Sequence, residues 1–430
     1  MKTLRRFKRF VALSCVAALT AGLFAGCAGT DSVTKYTLEN EKKTEISFSW
    51  WGNDIRHDYT MEAVKIFQQE NPDVKVETDY GVWGGYEKRY NLNMMSDNET
   101  DVMQINFAWL SKYSPDGEGY YDLNTLKDYI NFAGYTSEML SYGYMNGKLN
   151  AIPIALNTST LYYNADIYKK YSLELPKSWD DLFAAAEVMS EDGIYPLGMS
   201  KKQLFLFLIT WYEQLTGKEP FDGNGNWIYE TEDVRNMLEF CGKLRDKKVI
   251  CSVDDFGSGM FSGGQVAGVM AWASDAETYC AFLEENKIDV RIGEYPVMED
   301  AKMLGWYLKP ATMYAISRIT DEPVAAAKLL DYLLNSEEMI VRQGTEKGVP
   351  CNVIAVRVLQ DHEMLDGLEY KANRMMESRR GDMKVMPAQM EDEEIINIFK
   401  DGADKYLFDR ATLKEAAEEI QNLITEFNIE

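Results

Sequence analysis

The sequence predicts an α/β fold divided into two lobes. Strand-like alternation and helical stripes succeed one another along the chain, which is the pattern of sheets flanked by helices. About four hundred residues follow the N-terminal apolar run, more than one core usually holds. Hydrophobic residues make up 46% of the chain and no second long apolar run occurs, as expected of a globular body.

The elements follow in order. Ile46, Phe48 and Trp50 alternate with polar neighbours and predict a first strand. The stripe Thr60, Ala63, Val64 and Phe67 predicts a helix ending before Asn71-Pro72, and Val74-Lys75-Val76 then starts a second strand. A helical stretch around Tyr86 to Met95 leads to a third strand from Asp101 to Asn106. Strand, helix, strand, helix, strand predicts an open parallel sheet. Further on, Pro176 and Ser178-Trp179-Asp180-Asp181 give a helix start with capping-box spacing, continued by Ala184 to Met189. Ala326, Leu329, Leu330 and Leu333 mark a helix after Pro323. Last, Thr412 and Glu415 fit a capping box, with Leu413, Ala416, Ala417, Ile420, Leu423 and Ile424 on one face.

The N-terminus reads as an export signal. Lys2, Arg5, Arg6, Lys8 and Arg9 precede a mostly apolar run from Phe10 to Phe24 that is short for a membrane span. Phe24-Ala25-Gly26-Cys27 resembles the lipobox of bacterial lipoproteins, with Phe24 where leucine is commonest; the resemblance implies diacylation of Cys27 and removal of residues 1–26. Residues 28–44 lack apolar periodicity and read as a tether.

Charge and composition exclude several classes. Removing residues 1–26 takes away five basic and no acidic side chains, leaving 40 basic against 69 acidic and a formal charge of -29. Such a surface repels nucleic acid and anionic lipid, so membrane attachment rests on the lipid. Cys241 and Cys280 continue apolar helical stripes and read as core thiols, whereas Cys251 and Cys351 lie outside clear helices and leave a pairing open. His57 and His362 are the only histidines, and no zinc spacing occurs, so neither metal nor cofactor is expected. Asp222, Asn224 and Asn226 imitate the start of a calcium loop, but Trp227 takes the glycine place and Asp233 the twelfth position. Arg380-Gly381-Asp382 reads as a chance triplet. Gly257-Ser258-Gly259 and Gly263-Gly264 lack the lysine of a phosphate-binding loop.

Three stretches carry a family resemblance over almost the whole mature chain. They are Trp50 to His57 with the helix, Asn71-Pro72 and strand that follow; Gly147 to Pro153 with Leu161 to Asp166 and Pro176 to Asp181; and Ala315-Ile316-Ser317 leading into the helix from Pro323 to Glu338. In their order and spacing they resemble the extracellular sugar-binding lipoproteins of bacterial ABC importers, the family that includes maltose-binding protein. The resemblance implies a two-lobed periplasmic-binding-protein-like fold of type II, each lobe a mostly parallel sheet flanked by helices, with a ligand cleft at the hinge. It divides the chain into residues 45–156 plus 310–351 and residues 157–309 plus 352–430. It also implies a monomer at the outer face of the membrane, serving a permease with transmembrane subunits and a cytoplasmic ATPase, and no catalytic residues.

The cleft can also be read from chemistry. Ligands of open α/β sheets sit beyond the carboxyl ends of strands, where Trp50-Trp51 and Asn106 with Trp109 are expected. A sugar needs flat aromatic platforms and two-way hydrogen-bonding side chains. Asn53, Asp54, Arg56 and His57 supply that fringe, and Trp83, Tyr86, Trp211, Trp272, Asp275, Trp306 and Tyr307 are further candidates. Trp179 reads as a structural helix-start residue and Trp227 as part of a turn. Arg56 and His57 read equally well as a structural pair with Asp54. The leading function is capture of an oligosaccharide for import; a polyamine-binding relative and a surface glycoside hydrolase are the other classes.

Overall fold

Strand β1 (Thr44–Trp51) buries Ile46, Phe48 and Trp50, the residues whose alternation marks it. The structure, a computed structural model, describes residues 43–223 and 225–427. The basic and apolar run, Cys27 and most of the tether lie outside the described residues. Helix α1 (Asp54–Glu70) turns its stripe Thr60, Ala63, Val64 and Phe67 inward. Strand β2 (Val74–Gly81) then pairs parallel with β1, Thr44 opposite Val74 through Trp51 opposite Gly81. Helix α2 (Trp83–Met95) returns the chain to β3 (Val102–Ile105), parallel to β1 on its other side, and α3 (Ala108–Tyr113) follows.

After α4 (Ser137–Ser141) and the small hairpin β4 (Tyr144–Met145) and β5 (Lys148–Leu149) comes β6 (Ala151–Asn164). Then follow α5 (Ala165–Lys170), α6 (Trp179–Met189), β7 (Gly198–Met199), α7 (Lys201–Thr216), α8 (Thr231–Asp246), α9 (Ser258–Ser262), β8 (Gly268–Trp272), α10 (Ala276–Glu285), β9 (Val290–Gly293) and β10 (Tyr307–Ile316). The chain ends with α11 (Pro323–Asn335), α12 (Glu337–Gln343), α13 (Val353–Asp361), α14 (Gly367–Arg379), β11 (Lys384–Val385), α15 (Glu393–Leu407) and α16 (Leu413–Phe427).

The sheet order is β2-β1-β3-β10-β6-β8-β7, with β9 on β6 and β11 on β10. Strands β6 and β10 serve both halves. Residues 151–158 of β6 pair antiparallel with β10, whose Met313 to Ile316 pair in turn with β3. Beyond Thr158 the same strand pairs with β8 and β9. All fourteen residues of β6 are buried, including the polar Asn157, Thr158, Ser159 and Thr160 in its middle, so no apolar–polar alternation marks it. The register of β10 shifts around Pro310, which has no N–H to give to a ladder.

Local signals hold where they were expected. Ser178 Oγ accepts from Asp181 N–H at 3.2 Å while the Asp181 carboxylate accepts from Ser178 N–H at 2.9 Å. Thr412 and Glu415 make the same reciprocal pair at the start of α16. Of the α16 stripe, Ala416, Ala417, Ile420 and Ile424 are buried, but Leu423 is 41% exposed. Trp179 packs on Phe207 and donates to Gln214 at 2.8 Å, a core role. Cys241, Cys251, Cys280 and Cys351 are all buried free thiols, so the open question of a Cys251–Cys351 bond is answered by two separate thiols.

Tyr163 on β6 shows how closely the second half is packed. A Cβ at Gly268 would lie 2.4 Å from its ring, and one at Gly293 would lie 2.1 Å away. Both strands beside β6 therefore need glycine there. Gly268→Ala is expected to lower the melting temperature by several degrees, and adding Tyr163→Leu to restore part of the loss. Equal melting of Gly268→Ala and the parent protein in calorimetry would contradict this packing.

Candidate functional site

Strands β1 and β3 are parallel and end at one edge, and three tryptophans meet there. Trp51 closes β1, Trp83 opens α2, and Trp109 sits on α3. Asn106 sets the turn into α3, its Oδ1 accepting from Ala108 N–H at 2.8 Å. The ring centroids of Trp83 and Trp109 are 5.6 Å apart with planes 12° from parallel, and Trp51 meets them edge-on at 5.0 and 5.8 Å. Tyr90 stacks on the same Trp109 at 4.1 Å. Tyr86 is buried beneath, donating to the Gln104 carbonyl at 2.9 Å and sharing a hydrogen bond with Ser49. Each aromatic pair contributes about 0.5–1.5 kcal/mol beyond its buried area, so the cluster is held rigid. Trp51 and Trp109 are buried and Trp83 is half-exposed.

Trp83 and Trp109 line a groove of about 1530 Å³ between α2 and α3 on one side and residues 388–392, α15 and α16 on the other. Asn91, Asn226, Gln389 and Asn397 bring amide groups to it, able both to donate and to accept. Its carboxylates, among them Glu87, Glu391, Asp392, Glu393, Glu394 and Asp401, outnumber the cations Lys88, Lys112, Lys405 and Arg410.

Behind Glu391, which alone of this group lines the groove, Lys309, Lys202 and Arg56 face carboxylates, whereas the buried Lys347 donates to the Tyr314 hydroxyl at 2.9 Å. Lys309, on β10, is 4% exposed and forms an ion pair with Glu391, 5% exposed by side chain, while Lys202 stands 3.8 Å from the same carboxylate. Burial alone would raise the Glu391 carboxyl, but Lys309 and Lys202 outweigh it and hold it below the usual range. The Lys309 ammonium lies 4.4 Å from the Trp272 ring centroid. Arg56 donates to the Glu346 carbonyl and lies 3.8 Å from its carboxylate. Burial pushes Asp275 up, with Arg56, Lys309 and Lys202 opposing it. Burial, aided by Glu346, pushes Glu369 up to about 8.

The other candidates are spread through the molecule. Asn53 caps α1, accepting from Arg56 N–H, and Asp54 is exposed in the first turn. His57 Nδ1 accepts from the Trp50 indole at 3.2 Å, and Trp50 itself is fully buried between Phe48 and Tyr80. Arg56 reaches Glu346 rather than Asp54. Trp211 stacks on Phe240 at 3.9 Å in the helical layer of the second half. Trp306 packs on Tyr295, and Tyr307 donates to the buried Glu213. Trp272 and Asp275 stand at the close of β8, Trp272 against the Lys309 ammonium and outside the groove lining. Among the described residues no cluster of histidine, cysteine or carboxylate is arranged to hold a metal. Sequence reasoning missed Lys309, Glu391, Lys202 and Glu346; only Lys309, a lone cation inside an apolar run, left a readable signal.

Breaking the Lys309–Glu391 pair leaves the buried Glu391 carboxylate with only the more distant Lys202, 3.8 Å away. Lys309→Met alone is expected to cost about 3–5 kcal/mol, and Lys309→Met with Glu391→Leu to recover most of it. Because the folded Glu391 carboxyl is depressed, its contribution is present above the unfolded value near 4.3 and is lost as pH falls through the lower folded value. Denaturant titrations at neutral and acid pH check both points; a double variant no more stable than the single one would contradict them.

Comparison with known proteins agrees with this architecture. A periplasmic oligogalacturonide binding protein from Yersinia enterocolitica, solved with saturated digalacturonic acid, superposes with a TM-score of 0.84 at 28% identity, covering 90% of this chain and 99% of that one. A periplasmic solute binding protein from Pectobacterium atrosepticum gives 0.85 at 27% identity, with the same coverage. The fold is thus the two-lobed type II solute-binding fold. The chain spans about half the length of curated relatives it matches: 47% of a binding protein of Brucella abortus at 26% identity, and 52% of the arabinooligosaccharide-binding protein of Bacillus subtilis at 25%, covering 46% and 53% of this chain. It spans 70% of the maltooligosaccharide ABC transporter solute-binding lipoprotein of Streptococcus pneumoniae at 21% identity, over 69% of this chain. A model of the bacterial extracellular solute-binding protein family matches residues 62–352, and the chain belongs to that family.

Proposed function

We propose that this exported protein is the ligand-capturing component of an ABC importer and that it holds a neutral oligosaccharide in the groove beside Trp83 and Trp109. The groove carries the reading. Two near-parallel indoles stand on one wall, amide side chains on both, and its volume of about 1530 Å³ exceeds the roughly 300–1,000 Å³ of ordinary small-molecule pockets. Neutrality of the ligand follows from charge. Acidic residues outnumber basic ones along the walls, and Lys202 and Lys309, the cations beside the groove-lining Glu391, already face its carboxylate. Trp51 and Tyr86 back the platform, while Asn106 sets the helix that carries Trp109; Trp272 lies behind Glu391, against the Lys309 ammonium. Support also comes from the relatives, which bind arabinooligosaccharide, maltooligosaccharide and oligogalacturonide.

In this reading residues 45–156 plus 310–351 form one lobe and 157–309 plus 352–430 the other, and they close on the sugar about β6 and β10. A ligand that touches both lobes favours the closed state by its differential affinity. The protein acts as a monomer without cofactor, returns the sugar unchanged, and delivers it to transmembrane permease subunits driven by a cytoplasmic ATPase. Lipid on Cys27 keeps it at the outer face of the membrane.

Calorimetry with arabino-, malto- and uronic oligosaccharides and spermidine tests the ligand. A neutral glycan is expected to bind with affinity changing less than about twofold between 0.02 M and 0.5 M salt, since screening acts on charge pairs. Trp83→Ala is expected to cost on the order of 2 kcal/mol, roughly thirtyfold in affinity, with little change in melting. Salt-sensitive spermidine binding with no response to glycans would overturn the reading, and tight binding restricted to uronic sugars would overturn the neutral ligand.

Anchoring has its own test. Cys27→Ser is expected to abolish fatty-acid labelling and to release the protein to the soluble fraction. Equal labelling of the variant would contradict the anchor.

A further inference from the structure

The second half holds a cavity that the sugar groove does not use. It lies between α7, α8 and α15, with a volume of about 330 Å³, and Leu204, Phe205, Ile396, Phe399 and Leu407 form its apolar lining. The thiols of Cys241 and Cys251 face the same space, and burial raises them to about 12 and about 11. The size lies within the range of small-molecule sites, and apolar cavities of this kind favour an apolar occupant over water.

Its rim is basic in a strongly acidic chain. Lys201, Arg245, Lys248 and Lys400 surround the cavity, with Asp404 the one carboxylate among the lining residues. Lys201 bonds Asn397, Arg245 bonds Asp246 and the Leu407 carbonyl, and Lys400 pairs with Asp404 and Asp254. Lys248 is exposed and its ammonium has no partner among the described residues. It sits at φ +56°, a backbone position that favours glycine. Phe408, 54% exposed, stands beside the opening. Helix α15 separates this cavity from the sugar groove. Ile396, Phe399, Ala403 and Leu407 recur at helical spacing toward the cavity, and Glu393, Asn397 and Asp401 line the groove.

We propose that this cavity is a second binding site, for a medium-chain carboxylate whose tail lies among Phe205, Ile396 and Phe399 and whose carboxylate meets Lys248. An apolar body removes water from the lining, and a carboxylate gives the unpaired ammonium a charge-assisted hydrogen bond that a cationic amphiphile cannot give. The inference stands apart from the glycan reading, because Lys248, Phe205, Ile396 and Phe399, which hold the ligand in it, do not line the groove, although Asp404 borders both spaces.

Titration of the full chain with dodecanoate below its micelle concentration, against dodecyltrimethylammonium, tests it. Dodecanoate is expected to bind one-to-one and at least tenfold more tightly than the cation. Lys248→Glu is expected to weaken it at least fivefold without moving the melting temperature, and Ala403→Phe, which fills the cavity, to abolish it. Should Ala403→Phe fail to fold, alkylation of Cys251, followed by peptide mass, is expected to slow at least fivefold under saturating dodecanoate. Absence of saturable binding, equal binding of the cation, or indifference to Lys248→Glu would overturn the proposal, as would binding lost only in Trp83→Ala. Failure of the glycan panel leaves each of these results readable.

Discussion

Strands β6 and β10 lie side by side, antiparallel, and every other part of the molecule is placed by that pair. The inner part of β6 belongs to the sheet of the first half and its outer part to that of the second, so one strand fixes both. A charge buried on these central strands is costly unless it is paired. Lys309 on β10 is nonetheless there, and Glu391 answers it. That ion pair ties the segment before α15 to the central strands, and α15 is thereby held across the groove from Trp83 and Trp109. Desolvation makes the pair a poor source of net stability; it fixes where a distant segment sits.

What could be read in advance was local. The alternation of Ile46, Phe48 and Trp50 and the stripe of α1 name their own elements, and the Ser178–Asp181 and Thr412–Glu415 pairs form within one helical turn. The stripes of Cys241 and Cys280 likewise foretell their burial. Trp51, Trp83 and Trp109 were legible because strand ends and helix starts of a parallel sheet gather at one edge. Contacts across the fold were not. Arg56 and Glu346 are 290 positions apart, and nothing local distinguishes a partner there from Asp54 two residues away. Tryptophan as a type also misleads: Trp211 and Trp306 offer the same flat ring as Trp83, and only packing against Phe240 and Tyr295 separates core from cleft.

The same fold carries different ligands, so the scaffold alone does not name one. Here two features of the site narrow it: aromatic faces that suit the C–H side of a sugar ring, and walls on which carboxylates outnumber cations. Helix α15 adds a third consideration. One of its faces lines the groove and another an apolar cavity with a basic rim, so whatever occupies either side meets the same helix.

X-ray scattering with and without a saturating glycan tests most directly that the ligand is held between halves hinged on β6 and β10. A smaller radius of gyration with the sugar bound is the expected result. An unchanged radius under confirmed saturation would contradict that placement.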